Sequence, residues 1–245
     1  MDCFDSLSLV NQLLEELSSL GIQISDSQAQ MMTEHLRLVI QKNKVLNLTR
    51  IVAPEDAVTL HLVDSLVPLQ TNNFKPSESL RFLDIGTGAG FPGIPLGIAT
   101  GMNGVLLDSV GKKVNAVNEF IDTLGLSKLE AVHDRVEHLA IEQPKSFDFV
   151  VARAVAQANV LIEYAAPLLK MNGQLVLEKA NVTVDELNAS KRAAKICGMK
   201  FVSLDEFDLP RDMGHRSILI YRKTQNPSIK LPRQIGVAKS HPLGL

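Results

Sequence analysis

The run Leu83-Asp84-Ile85-Gly86-Thr87-Gly88-Ala89-Gly90-Phe91-Pro92-Gly93 holds an acid, three glycines at every second position, and a fourth glycine three residues on. It follows an apolar stretch, Arg81 to Ile85, that reads as a strand, and it leads into a helical one. Such a turn brings bare backbone close to a nucleotide-like ligand at a helix N-terminus. Two ligand chemistries fit. Gly88-x-Gly90-x-x-Gly93 satisfies the dinucleotide fingerprint, a weak match taken alone. Asp84, two residues before the first glycine, would repel a pyrophosphate, whereas S-adenosylmethionine has no phosphate and carries a cationic sulfonium and an ammonium group. The charge therefore favours the sulfonium cofactor. Beside both stands a purely structural reading, in which the glycines only admit close packing of helix on sheet.

Asp108 ends a second apolar strand, Gly104 to Asp108, about twenty residues past the glycine turn, where a nucleotide-binding βαβ unit places its ribose-binding acid. The same residue equally suits a cap for the helix that begins near Gly111. Arg153 closes another apolar strand at the carboxyl edge of the sheet, where ligands bind in open α/β folds. Nucleophile chemistry is missing: there is no cysteine motif and no convincing His/Asp pair. The two cysteines, Cys3 and Cys197, cannot form a disulfide framework and lack the spacing of a zinc site, so reduced thiols and no metal are expected.

These residues need a sheet to hold them. With 245 residues and 45% hydrophobic content the chain can bury a sizeable core. The first seventy residues read as helical. Leu7, Val10, Leu13, Leu14 and Leu17 recur at helical spacing before Gly21; Ser25 and Gln28 form a capping box ahead of a second helix; Pro54-Glu55 opens a third segment through about Leu69. From Leu80 onward short apolar strands alternate with helices: Arg81–Ile85, Gly104–Asp108, Leu129–His133, Phe147–Val151 and Gln174–Glu178. Strands over Lys200–Phe207 and Ser217–Arg222 are joined by a loop too short for a covering helix and should pair antiparallel. Five parallel strands and a hairpin give a seven-stranded, Rossmann-like sheet in the class I methyltransferase order. A symmetric dinucleotide fold would continue with parallel crossovers. The divisions read from the sequence are a helical region over 1–70 packed on the core, a cofactor-binding domain over 71–224 and a basic tail over 225–245.

Charge is unevenly spread. Residues 211–245 hold seven basic residues and one acid, a net +6, which leaves −8 on the rest of a chain whose total is −2. A basic tail on an acidic body suits a polyanion such as RNA. No apolar run nears the eighteen or so residues of a membrane helix, and Met1-Asp2-Cys3-Phe4-Asp5 lacks the basic region of a secretory signal, so a cytoplasmic protein is expected.

Taken together, these motifs resemble the RsmG family (glucose-inhibited division protein B), bacterial methyltransferases of 16S ribosomal RNA acting on guanine N7. The resemblance covers nearly the whole chain. It rests on Asn47-Leu48-Thr49, on His61-Leu62-Val63-Asp64-Ser65-Leu66, and on the glycine turn with its continuation Phe91-Pro92-Gly93-Ile94-Pro95-Leu96. Leu107-Asp108-Ser109 with Lys112-Lys113, Arg135-Val136-Glu137, Arg153-Ala154 and Glu178-Lys179 complete it. The chain departs from the family pattern at Ala180, where a glycine is usual, and at Leu231-Pro232-Arg233-Gln234-Ile235-Gly236, where many members carry Tyr-Pro-Arg-Arg-x-Gly.

The resemblance implies S-adenosylmethionine as cofactor, a guanine N7 in the 530-loop region as methyl acceptor, and 16S rRNA, the 30S subunit or its assembly intermediate as partner of a monomeric enzyme. It assigns Asp84, Gly86, Gly88 and Gly90 to the methionine half, Asp108 to the ribose, and Val136 and Glu137 to the adenine, although Asp134-x-x-Glu137 is also a capping box. Phe91 would pack on the ligand or seal the core. Arg153, the expected catalytic residue, would meet the cofactor carboxylate, a phosphate or guanine O6, because an arginine on N7 would block the lone pair being methylated. His61 and Asp64 are weaker candidates. Lys112, Lys113 and Lys179 are expected phosphate contacts, as are Arg216, Arg222, Lys223 and Arg233. Two rivals remain: a nicotinamide-dependent oxidoreductase, and a non-catalytic RNA-binding module with a vestigial cofactor pocket.

Overall fold

The computed structural model describes residues 5–245. The leader reading and the thiol of Cys3 fall outside the described residues. Helix α1 (Ser6–Ser19) starts where the Asp5 carboxylate accepts the Ser8 N–H at 3.4 Å, and buries Leu9, Val10, Leu13 and Leu17. Leu7, read as part of that face, is 71% exposed because Leu9 fills the stripe instead. Helix α2 (Asp26–Asn43) has the capping box its sequence announces: Ser25 Oγ accepts the Gln28 N–H at 3.2 Å and Gln28 Oε1 accepts the Ser25 N–H at 2.9 Å. The third segment changes pitch repeatedly, with α3 (Pro54–Ala57), a π-helical turn (Val58–Val63), α4 (Asp64–Leu66) and a 3₁₀ turn (Val67–Gln70). π-turns widen a helix and recur at functional sites; this one carries His61 and leads straight into Asp64.

The sheet has seven strands in the order β3-β2-β1-β4-β5-β7-β6, from β1 (Arg81–Ile85), β2 (Asn103–Asp108), β3 (Leu129–His133), β4 (Phe147–Arg153), β5 (Leu169–Lys179), β6 (Met199–Asp208) and β7 (His215–Lys223). Neighbours among the first five run parallel, and β7 is antiparallel to both β5 and β6. The strand reading thus holds in number, order and direction. β5 begins five residues before the sequence suggested because residues 170–172 are exposed and show no apolar alternation.

Strand alternation feeds two cores. On one face Phe82, Val151, Val176 and Ile218 pack against α1 to α4, α5 (Gly93–Thr100) and α6 (Gly111–Thr123). On the other, Leu83, Val150, Leu177 and Tyr221 meet α7 (Val136–Glu142), α8 (Ala158–Ala165), α9 (Val184–Ile196) and α10 (Val237–Ser240). Cys197 lies in this second core, where burial pushes its thiol up to about 12.

The C-terminal segment is laid down on α8 and α9. Asn159 Nδ2 donates to the Leu243 carbonyl at 2.9 Å, Arg192 Nε to the Gly244 carbonyl at 2.7 Å, and Ala238 is buried. Part of its charge is spent inside the protein, which removes Lys223 and Arg233 from the expected phosphate contacts, while Arg222, Lys230 and Lys239 stay exposed. Lys223 is 1% exposed and donates to the Ala166 carbonyl, with its pKa brought down to about 8 by burial and the nearby Lys145. Arg233 grips the buried Glu163 with two nitrogens, at 2.7 and 2.5 Å. Arg211 donates to the Glu55 carbonyl at 2.7 Å.

Candidate active site

Two concavities open side by side at the carboxyl edge of the sheet. The first is the space around the glycine turn, lined by Gly86, Asp108, Ser109, Val136, Glu137, Tyr164 and Lys239. The turn is pinned from below: the Gly86 and Thr87 N–H groups donate to the Leu107 carbonyl at 2.8 and 3.0 Å, and the Gly88 N–H donates to Asp108 Oδ2 at 3.0 Å. Gly88 has φ +62°, and a Cβ there would meet only the Gly86 carbonyl at 4.0 Å, so backbone geometry and not crowding calls for glycine. Gly93 is the opposite case: its Cβ would lie 2.7 Å from Leu106 and 2.8 Å from Asp84.

Asp84 corrects a sequence expectation. Its side chain is fully buried, and Oδ2 accepts the Gly93 N–H at 2.9 Å at the head of α5. It holds the turn from beneath and lines neither concavity. Burial raises its pKa to about 6, against the Thr87 hydroxyl, the Gly93 N–H and the Arg153 charge. Asp108 reaches the surface of the turn, with Oδ1 on the Val110 N–H at 2.9 Å and Oδ2 on Gly88. Each oxygen keeps a lone pair for a hydroxyl donor. The capping box expected from Asp134 and Glu137 does not form: Asp134 Oδ1 accepts the Arg135 N–H at 2.7 Å, and Glu137 Oε1 accepts the Gly236 N–H at 3.0 Å, tying the C-terminal segment to the pocket wall.

The second concavity is a cleft of about 470 Å³, lined by Ile51, Leu60, His61, Asp64, Arg153, Ala154, Glu178, Lys179, Ala180 and Arg216. Ala154, in the left-handed region at φ +55°, and Val155 form the ridge between the two spaces; Val155 lies so close that a Cβ on Gly86 would meet it at 2.7 Å. A strained non-glycine residue of this kind costs of order 1–3 kcal/mol and clusters at ligand sites.

Charged residues cross the sheet beneath the glycine turn and along the cleft. Asp84, Arg153 and Glu178 stand two residues beyond Phe82, Val151 and Val176, and Arg216 two before Ile218, so all four share one sheet face on the adjacent strands β1, β4, β5 and β7. Asp64, from α4 above, joins the two arginines: Arg153 Nη1 donates to Oδ2 at 3.0 Å and Arg216 Nε to Oδ1 at 2.6 Å. Arg153 Nη1 also reaches the Leu60 carbonyl at 3.3 Å, and the guanidinium lies 5.6 Å from the centre of the Phe91 ring.

Glu178 has no such partner. It is 3% exposed, Oε2 is buried without a hydrogen bond, and none reaches Oε1 from the described residues. Burial pushes its pKa well above the carboxylate range, the charges of Asp64 and Asp84 add to that, and Arg153 and Arg216 oppose it.

Phe91 takes the second of its two expected places. Its ring is buried, stacked on His61 at 4.6 Å and 10° and set 4.7 Å from His35, and so it seals the core. His61 Nε2 meets Thr49 Oγ1 at 2.8 Å, and burial with the Arg153 charge lowers its pKa to about 3. His35 donates to the Ala89 carbonyl at 3.0 Å behind the turn, with burial lowering its pKa to about 4. Both rings stay neutral.

A model of the family described as GidB, rRNA small subunit methyltransferase G, matches residues 28–214. Proteins named ribosomal RNA small subunit methyltransferase G are similar along nearly the whole chain. The one from Gloeobacter violaceus is 42% identical over 229 residues, 92% of this chain and 90% of its own; that from Carboxydothermus hydrogenoformans is 34% identical over 226 residues, 91% and 95%. The chain belongs to the rRNA small subunit methyltransferase G family. Solved structures agree on the fold alone: a SAM-dependent methyltransferase from Methanosarcina mazei has a TM-score of 0.53 at 17% identity, covering 65% of this chain and 98% of that one. The cyclase SpnF reaches 0.55 at 14% identity, over 81% and 96%. Family membership and the antiparallel β7 leave no support for the nicotinamide reading or for the non-catalytic module.

Against that membership, the structure brings His61, Asp64, Arg153, Lys179 and Arg216 to one cleft and Gly86, Asp108, Val136 and Glu137 to the other space. Lys179 is paired there with Glu186 at 2.8 Å. Lys112 and Arg222 are exposed and Lys113 is half-buried. Among the described residues the one group able to hold a metal by distance is Asp134, His138 and Glu142. His138 turns a different nitrogen to each acid, Nδ1 at 2.8 Å and Nε2 at 3.7 Å, which makes an ion-pair ladder along α7. Glu178, present in the resemblance only as part of Glu178-Lys179, is the buried acid of the cleft to which the sequence reading gave no role; it looked like the end of an apolar strand.

Proposed function

We propose that this protein transfers a methyl group from S-adenosylmethionine to N7 of a guanine in the 530-loop region of small-subunit ribosomal RNA. The observation that carries the reading is the pairing of a backbone-built pocket with a charged cleft beside it at the carboxyl edge of the sheet. The cofactor supplies an electrophilic methyl on a sulfonium, and guanine N7 offers a lone pair with no proton to remove. The cleft suits such an acceptor, since its histidine is fixed neutral by a pKa near 3. Catalysis then rests on positioning, an effect worth about 7–11 kcal/mol when reactants are held in line.

Several residues fit the cofactor. Asp108 has lone pairs free for the ribose hydroxyls, Val136 offers an apolar wall and Glu137 an acceptor to the adenine, and Gly86, Gly88 and Gly90 let the backbone approach the methionine half. Asp84 acts through the turn it fixes, and Phe91 by backing Arg153. Arg153, beside both spaces, orients the cofactor carboxylate, a phosphate or guanine O6. Residues 1–70 roof the cleft through His61 and Asp64, 71–224 supply the cofactor side, and 225–245 close the adenine side through Gly236. The protein works as a cytoplasmic monomer.

Mapping 7-methylguanine in 16S rRNA from cells lacking the protein tests the reading. Loss of one mark in the 530-loop region, restored by the gene, is the expected outcome. An unchanged methylation map, or calorimetry showing no binding of S-adenosylmethionine or its demethylated product, overturns it.

A further inference from the structure

Glu178 is a charged-type side chain buried in the cleft wall, close to two arginines, yet bonded to neither: Arg153 turns Nη1 to Asp64 and the Leu60 carbonyl, and Arg216 turns Nε to Asp64 and Nη1 to the His215 carbonyl. A buried carboxyl without a hydrogen bond costs stability and calls for an explanation, such as a ligand that completes it. That ligand must bring donors, because a carboxylate only accepts.

We propose that Glu178 recognises the Watson–Crick edge of the target guanine, accepting from N1–H and the 2-amino group, and so sets the specificity of the cleft for guanine. The inference rests on the methyl-transfer reading above. Guanine presents two adjacent donors on that edge, which one carboxylate can accept in parallel, whereas adenine presents an acceptor at N1 and no 2-amino group. A base taken out of its stack is read on this edge. The strand order supports the placement. β1 carries the glycine turn and β5 carries Glu178, with β4 between them, so the two lie two strand spacings, about 9–10 Å, apart. N7 lies on the edge that adjoins the Watson–Crick edge at O6, with its lone pair roughly at a right angle to N1–H. A guanine over β4 whose Watson–Crick edge meets β5 therefore keeps O6 and N7 for the Arg153 and glycine-turn side of the cleft, in line with the O6 role of Arg153. The charges of Arg153 and Arg216 favour the carboxylate anion that accepts both donors.

The test compares guanine with inosine, which lacks only the 2-amino group. The wild-type enzyme and Glu178→Gln are assayed on 30S particles reconstituted from 16S rRNA that carries, by ligation, guanosine or inosine at the position the wild-type protein methylates. Wild-type kcat/KM should fall on the order of 10- to 100-fold with inosine, the scale of one hydrogen bond to a charged acceptor. Glu178→Gln should lose a similar factor on guanosine RNA and little on inosine RNA, so that discrimination collapses, while S-adenosylmethionine affinity by calorimetry stays unchanged. Equal wild-type rates on the two RNAs overturn the inference without any variant. A Glu178→Gln loss shared by both RNAs, or matched by a loss of cofactor affinity, overturns it too. No methylation of guanosine RNA by the wild type brings down the underlying reading instead.

Discussion

Around the glycine turn the fixing contacts are short in sequence: Gly93 to Asp84 spans 9 residues and Gly88 to Asp108 spans 20. Across the ridge of Ala154 and Val155, the cleft is fixed by side chains far apart in the chain, with Asp64 meeting Arg153 over 89 residues and Arg216 over 152. One space has a floor made by local backbone, which follows once β1 and β2 pair, and only its outer wall waits for the C-terminal segment. The other exists only when the N-terminal helices have docked on the sheet and the hairpin has closed. A cofactor pocket can thus be shared by the whole fold, while the acceptor cleft is particular to the helices laid over it.

Removing the residue that joins the two halves of the cleft should have the largest effect. Asp64→Ala leaves two poorly exposed guanidinium groups without their shared acceptor, and breaking a buried pair from one side costs about 3–5 kcal/mol. Urea denaturation should report that loss together with nearly complete loss of methyl transfer. A change below about 1 kcal/mol would mean that the cleft is held by packing alone.

Arg153→Ala separates chemistry from scaffold. Asp64 keeps Arg216 as its partner, so the fold should survive, while methyl transfer falls by about 10²–10³, the scale for deleting one preorganised donor. The stop signal at the methylated guanine in primer extension, measured against the melting temperature, checks both halves. Full activity would refute the role.

The contrast between the two spaces also decides what could be read from residues alone. The glycine turn, the Ser25 capping box and the strand order were legible because each is a local pattern whose partners lie within one turn or one βαβ unit. Asp84 was legible as an anchor of the site but was assigned the wrong neighbour, since nothing in its type says that it faces the Gly93 N–H and not a ligand. Glu178 was hidden for a different reason: it follows Leu175-Val176-Leu177, and a strand-end acid is ordinarily solvated. Only the docking of α4 over β4 and β7 shows that it is covered. Lys223 and Arg233 were read as phosphate contacts because charge alone carries no record of a partner 57 or 70 residues away.

That last misreading can be put on a pH axis. Lys223 has its folded pKa lowered to about 8 from 10.5, so the unfolded chain binds more protons between those values. Stability contributed by this residue therefore rises as pH increases through the window. Relative to Lys223→Met, the wild type should gain about 1–3 kcal/mol between pH 7.5 and pH 10, by denaturant titration at each pH. A parallel pair of pH profiles would show a lysine in contact with water. RNA binding should not change with this substitution.

Its neighbour gives the smallest and sharpest contrast. Arg222 is exposed on the same strand, one residue before Lys223 and pointing to the opposite side. If the exposed cations Lys112 and Arg222 meet phosphates, the affinity for 30S particles falls steeply with salt, and deleting one such cation takes about one from the slope of log K against log salt. Arg222→Ala should lower that slope by about one and leave urea stability within about 0.5 kcal/mol, whereas Lys223→Met does the reverse. Equal slopes for wild type and Arg222→Ala would place the RNA elsewhere, on the face around Lys112 and Lys113, and the corresponding Lys112→Ala slope would then carry the whole decrement.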